Sequence, residues 1–253
     1  MKDNILNISS LLGAGGSSEF ASSPLGTGGS SEFASSPLGA GGVRGVECVR
    51  SPMGIIGITG GIGTGKSIIC KVFEVLGVPV YYADQRAKWL TNNDLQLRKE
   101  IKELLGRNAY DSNGQYNRKW VASQVFDNPA LLQILNGLVH PRVFEDTKRW
   151  LTQQQNHVYV LREAALTNAA GNNNDLTKII VVNAPLDLRI KRIKKRDTQR
   201  TEAEILAIIS RQKTEQAFQQ IADYQIVNDE KQLLLPQILS LHKALLHQFN
   251  SCY

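Results

Sequence analysis

Gly60-Gly61-Ile62-Gly63-Thr64-Gly65-Lys66-Ser67 is the stretch on which the reading of this chain turns. Before it, Gly54–Thr59 forms a short apolar run of strand type. After it, Ser67–Leu76 repeats Ile69, Val72, Phe73 and Leu76 along one helical face, and Gly77 stops the pattern. Glycines between a strand and a helix let successive N–H groups converge on one point, at backbone angles that cost other residues energy. The helix start adds the positive end of its dipole there. A Lys and a Ser close the stretch, which matches G-x-x-x-x-G-K-[ST] in full. In such a loop the Lys (Lys66) reaches the β- and γ-phosphates of a nucleotide, and the hydroxyl (Ser67) ligates Mg²⁺. Gly61, Ile62, Gly63, Thr64, Gly65, Lys66, Ser67 and Ile68 are therefore the expected ATP-binding residues.

Outward from the loop, strand-type runs alternate with helical patterns. Val78–Tyr82 is a second strand, and 85–151 is largely helical, with a turn at Asp111–Gly114 and a break at His140-Pro141. Val158–Leu161 and Ile179–Val182 are further strands. Helical patterns occupy 186–196 and 202–221, a short strand falls at Gln225–Val227, and a helix over 231–249 closes the chain. This alternation predicts an α/β fold of three layers, a parallel sheet covered on both faces, with the helical stretch as an inserted subdomain. The whole of 53–253 reads as one domain.

Residues 1–52 are different. The unit GSSEFASSPLG occurs at Gly16–Gly26 and again at Gly29–Gly39, within a Gly-, Ser- and Pro-dominated tract. Such a composition buries too little surface to offset ordering entropy, so this segment reads as a flexible tail or a remnant of an expression vector. Three scattered cysteines (Cys48, Cys70, Cys252) share no metal or redox spacing, and no apolar run approaches membrane-spanning length. A soluble protein in a reducing cytoplasm is the expectation. The net charge of +6 is concentrated: Arg189–Arg200 holds seven basic residues and one acid, a surplus equal to that of the entire chain. One compact basic patch suits a polyphosphate better than an extended nucleic-acid track. Arg192 and Arg196 lie four apart on one helical face, which suits clamping of ATP phosphates by a closing lid over about 186–212, although a solvated helix face explains them equally.

A phosphate loop alone does not separate kinases from switches and motors. N-K-x-D, which would read guanine, is absent, and Asp111-Ser112-Asn113-Gly114 is better read as a turn. Arg162-Glu163 after Val158–Leu161 is an imperfect match to the acid of motor ATPases. Asp84 follows the second strand directly. Ligands of wound α/β sheets bind at the carboxyl ends of strands, so Asp84 could accept a hydroxyl proton or could cap a helix.

Taken in order, these anchors resemble the dephospho-CoA kinase family. Its opening T-G-G-I-G-x-G-K-S is reproduced by Thr59–Ser67. Its D-A-D falls on Tyr82-Ala83-Asp84, its H-P step on His140-Pro141, and its basic R-x-x-x-R-D on Arg192 to Asp197. An R-x-x-Q element appears in shortened form at Ser210-Arg211-Gln212, and A-D-x-x-I-x-N spans Ala222 to Asn228. The resemblance implies phosphorylation of the ribose 3′-hydroxyl of dephospho-CoA by ATP with Mg²⁺, with Asp84 as base beside Lys66. It also implies Asp84, Lys88 and His140 at the acceptor, and Arg192, Arg196 and Asn228 at ATP; no nucleic-acid or membrane partner is expected. Tyr82 stands for the first Asp of D-A-D, Ile68 for the usual Thr, and Thr167-Asn168-Ala169 for L-F-E in the acceptor site. A P-loop kinase of another small metabolite, such as a nucleoside monophosphate, and a non-catalytic nucleotide-binding module are the alternatives.

Overall fold

The computed structural model describes residues 52–164, 175–212 and 214–250. β1 (Gly54–Thr59) runs through the phosphate loop into α1 (Lys66–Val75), and β2 (Val80–Tyr82) leads straight into α2 (Ala83–Asn93). A helical block follows: α3 (Leu95–Leu105), a single 3-10 turn at Arg107–Ala109, α4 (Arg118–Val125) and α5 (Pro129–Thr152). The chain returns to the sheet with β3 (Tyr159–Glu163) and β4 (Lys178–Asn183). It then forms α6 (Leu186–Arg196), α7 (Glu202–Ser210), α8 (Glu215–Ile221), β5 (Tyr224–Val227) and α9 (Leu234–Phe249).

The strands make one sheet in the order β2-β3-β1-β4-β5, every pair parallel. Alternation along the strands sorts their side chains to two faces. Ile56, Ile58, Tyr159, Leu161, Ile180, Val182 and Ile226 meet Ile69, Cys70 and Phe73 of α1, together with Ile238, Leu241, Leu245 and Phe249 of α9. Val160, Ile179 and Val181 are buried on the opposite face, and α2 and α8 also lie against the sheet. The expected three layers are present. The helical block has its own core, built on Leu97, Ile101, Val121, Val125, Leu135, Val139 and Val143, which joins the sheet edge through Tyr81. No helix among the described residues is long and apolar enough to cross a membrane.

Two boundaries differ from the sequence-based expectation. No break occurs at His140-Pro141: α5 runs unbroken from Pro129 to Thr152 with Pro141 inside it. An interior proline costs about 3 kcal/mol. Leu135, Val139 and Val143, on both sides of it, all enter one core, and each such burial contributes about 1.5–3 kcal/mol. Packing outweighs the proline. The expected helix 202–221 is two helices, because Thr214 caps the second by accepting a hydrogen bond from Ala217 N (3.2 Å). Asp111–Gly114 is the turn expected, with Asp111 Oδ1 accepting from Asn113 N and Gln115 N. Cys70 is a buried free thiol. Cys48, Cys252, the 1–51 tract and Thr167-Asn168-Ala169 lie outside the described residues.

Candidate active site

Strand register assembles the site. Ile58 of β1 lies opposite Glu163 of β3, and Glu163 lies opposite Tyr82 of β2. Three strands thus end side by side. The phosphate loop follows the first, Glu163 closes the second, and Asp84 stands two residues beyond the third.

The loop is held from several directions. Lys66 Nζ donates to Gly60 O (2.7 Å) and Gly61 O (3.1 Å), and Thr64 Oγ1 donates to Gly61 O (3.0 Å). Gly60 and Gly63 are required as glycines. At Gly60 φ is +147° and an added Cβ would sit 2.4 Å from Val182 O; at Gly63 φ is +81° and a Cβ would sit 2.8 Å from Arg189 O. Gly65 precedes α1 as its N-terminal flanking residue, so the first free N–H groups of that helix belong to the loop. Ser67 and Ile68 are exposed at this helix start.

Charges converge beside it. Burial pushes Lys66 below the ordinary lysine range, while Glu163 and then Asp84 pull it back up. Burial raises Glu163 above the usual carboxylate range; Lys66 opposes this and Asp84 adds to it. Burial also lowers Lys88, with Arg118 and Arg196 acting in the same direction and Asp84 and Glu163 against it. Lys66, Asp84, Lys88 and Glu163 therefore form one electrostatic cluster, joined by Arg118 from α4 in the helical block and by Arg196 from α6. Asp84 lies in the first turn of α2, whose N-cap is Tyr82, so it is not the capping residue.

The remaining expected residues are placed differently. His140 is half-buried in α5 with Nε2 lacking a hydrogen-bond partner, and burial alone lowers its pKa, so it stands apart from the charged cluster. Asn228 Nδ2 donates to Thr64 O (2.8 Å), and its Oδ1 accepts from Arg192 (3.2 Å). Arg192 also pairs with Glu230 (2.9 Å). Asp223 of the A-D-x-x-I-x-N element is structural: its carboxylate accepts from Ile179 N and pairs with Lys178. Sequence reasoning passed over Glu163 and Arg118 as site residues. The acid at the end of an apolar run was the available signal for Glu163; nothing local marks Arg118.

The dephospho-CoA kinase family model matches residues 54–233. The chain belongs to the dephospho-CoA kinase family. It is therefore a member of a family of kinases, which are phosphotransferases. The dephospho-CoA kinase of Bacteroides fragilis is 36% identical over 186 residues, covering 74% of this chain and 90% of its own length. That of Porphyromonas gingivalis is 33% identical over 186 residues, covering 74% and 91%. Among solved structures, a Thermus thermophilus protein superimposes with a TM-score of 0.67 at 28% identity, covering 80% of this chain and all of its own. The dephospho-CoA kinase of Campylobacter jejuni shares the fold, with a TM-score of 0.51 at 21% identity over 76% of this chain and 97% of its own.

Proposed function

We propose that the chain transfers the γ-phosphoryl group of ATP to the ribose 3′-hydroxyl of dephospho-CoA, releasing ADP and coenzyme A. The observation that carries this reading is the meeting of the phosphate loop with the Asp84 carboxylate across three adjacent strand ends. Phosphoryl transfer asks a protein mainly for positioning and charge neutralisation. The loop N–H groups and the start of α1 hold the phosphates. Lys66, already beside the loop carbonyls, sits where negative charge gathers on the transferring group. Asp84 receives the proton of the attacking hydroxyl, and its charge draws Lys88 and Arg118 toward the acceptor. Arg192 and Arg196 serve the ATP side as lid arginines, Asn228 lies at its nucleotide edge, and His140 belongs to the acceptor side within the helical block.

Mg²⁺ fits the donors present. Ser67 offers an exposed hydroxyl at the helix start, Asp84 and Glu163 offer hard oxygens nearby, and no group of three or more His, Cys, Asp or Glu residues among the described residues forms a dedicated cage. That sparse set is what Mg²⁺ shared with substrate phosphates and water uses. When bound, the ion would neutralise negative charge on the nucleotide phosphates. The same reading makes this a cytoplasmic enzyme acting on soluble substrates, without nucleic-acid or membrane partners.

A coupled assay of ADP release, run with dephospho-CoA and in parallel with nucleoside monophosphates, tests the reading. Turnover dependent on dephospho-CoA supports it. Turnover with a monophosphate and none with dephospho-CoA would refute it.

A further inference from the structure

The outer peptide of the phosphate loop is gripped by two side chains from the lid segment, neither of which the function above uses. Arg189, in the first turns of α6, donates from Nε to Ile62 O (2.9 Å). Its terminal nitrogen donates to Gln212 Oε1 (3.2 Å), and the same oxygen accepts from Ile62 N (2.9 Å). Both polar groups of Ile62 are thus satisfied by one closed arrangement of three residues. The guanidinium also lies on Gly61, where an added Cβ would meet it at 2.3 Å. The Arg189 backbone closes over Gly63. Gly61, Ile62 and Gly63 lie between this latch and the rest of the site.

A loop rich in glycine is expensive to hold still, since each glycine surrenders more backbone freedom than any other residue. Here the holding groups come from the start of α6 and from just beyond α7, far along the chain. Arg189 is half-buried, so its two hydrogen bonds are shielded from solvent. It also lies close enough to Lys66 to influence its protonation.

We infer that Arg189 and Gln212 are positioning residues that lock the Gly61–Gly63 peptides of the phosphate loop into their phosphate-binding shape, so that the segment carrying the lid arginines sets the affinity for nucleotide phosphates. This rests on the loop being the nucleotide site. The latch depends on the planar fork of Arg189, which addresses Ile62 O and Gln212 together; a lysine ammonium keeps the charge and loses that geometry.

The test uses the full chain and its Arg189→Gln, Arg189→Lys and Gln212→Ala variants, with the double variant Arg189→Gln/Gln212→Ala. ADP and adenosine binding are measured by calorimetry, and ATP and dephospho-CoA KM by the coupled assay. Losing charge-assisted hydrogen bonds should weaken ADP binding roughly tenfold in each single variant, Arg189→Lys included, and leave adenosine unchanged. KM for ATP should rise in step while KM for dephospho-CoA stays within about twofold. The double variant should be no worse than the poorer single one, because both changes break one arrangement. Recovery of ADP affinity in Arg189→Lys, additive losses, or equal losses for ADP and adenosine would overturn the latch. Should the wild type bind ADP yet ignore dephospho-CoA, the proposed reaction falls while the ADP–adenosine contrast still decides the latch. A wild type that binds no ADP removes both.

Discussion

Replacing Asp84 by Asn keeps the shape of the side chain and deletes its charge and its capacity to take a proton. The structure separates what this should cost in catalysis from what it should cost in stability. For catalysis, loss of a general base lowers turnover about 10²–10⁴-fold, equivalent to about 2.7–5.5 kcal/mol of transition-state stabilisation. For stability, Asp84 is an acid in the first turn of α2, and such a charge contributes about 0.3–1 kcal/mol through the helix dipole. In a domain of this size that moves Tm by no more than about 4 °C. Binding of ATP should change by less than about threefold, because the loop N–H groups and the start of α1 supply the phosphate contacts and Asp84 supplies none of them. Removing the charge also relieves Glu163, whose pKa Asp84 helps to raise. Turnover at saturating ATP and dephospho-CoA, an ATP titration and a thermal melt on one preparation provide all three numbers. A kcat within about threefold of wild type, with the fold intact, would refute Asp84 as the proton acceptor.

Three further outcomes are expected. Lys66→Ala should lower kcat by at least about 10²-fold, as does loss of a single donor aimed at developing charge, with little change in Tm; near-normal turnover would place the reaction elsewhere. Asp146 is held below the usual carboxylate range by bidentate contact with Arg86 and by the Tyr81 hydroxyl, against the opposing effect of burial. A depressed carboxylate stabilises the fold above its unfolded pKa of about 3.9 and loses that contribution as pH falls through the folded value. Asp146→Asn should therefore cost about 1–2 kcal/mol at pH 7, Arg86 being partly exposed, and should flatten the decline of Tm below pH 4; an unchanged acid limb in urea or thermal melts would count against the pair. We also propose that a chain starting at Met53 retains its Tm and turnover, since among the described residues the two hydrophobic cores run from Ile56 to Phe249; loss of folding on truncation would show otherwise.

Much of the fold was legible because strand and helix periods differ and glycine marks their junctions. The Gly60–Ser67 loop, the strand before it and the amphipathic face after it all appear where local pattern puts them. Pro141 misled because local rules price an interior proline without knowing that Val139 and Val143 enter the same core. The division after Ser210 was present in the sequence as Thr214, but apolar periodicity masked the cap. Lys66 could be proposed from its motif alone. Glu163 could not, because its importance comes from the register that sets β3 beside β1, and register joins residues far apart in the chain. Arg118 acts across element boundaries and has no local signature, and Arg189 was marked only as one basic residue among the seven of Arg189–Arg200.

The strand order carries a consequence for how the molecule is made. Among the described strands β1 comes first in the chain and is central in the sheet, yet Gly54 pairs with Tyr159 and Ile56 with Lys178, so its neighbours emerge from the ribosome roughly a hundred residues later. The helical block between them closes with α2 through contacts shorter in sequence than those of β1, such as Glu100 with Arg142, and can gather while β1 still waits. Domains tend to form as units during synthesis, and pairings distant in sequence form late. The phosphate loop is therefore translated well before the strands that flank β1 and acquires its shape only after they arrive. Nucleotide binding then reports completion of the sheet: a nascent chain halted before β4 should carry compact helices and bind no ATP.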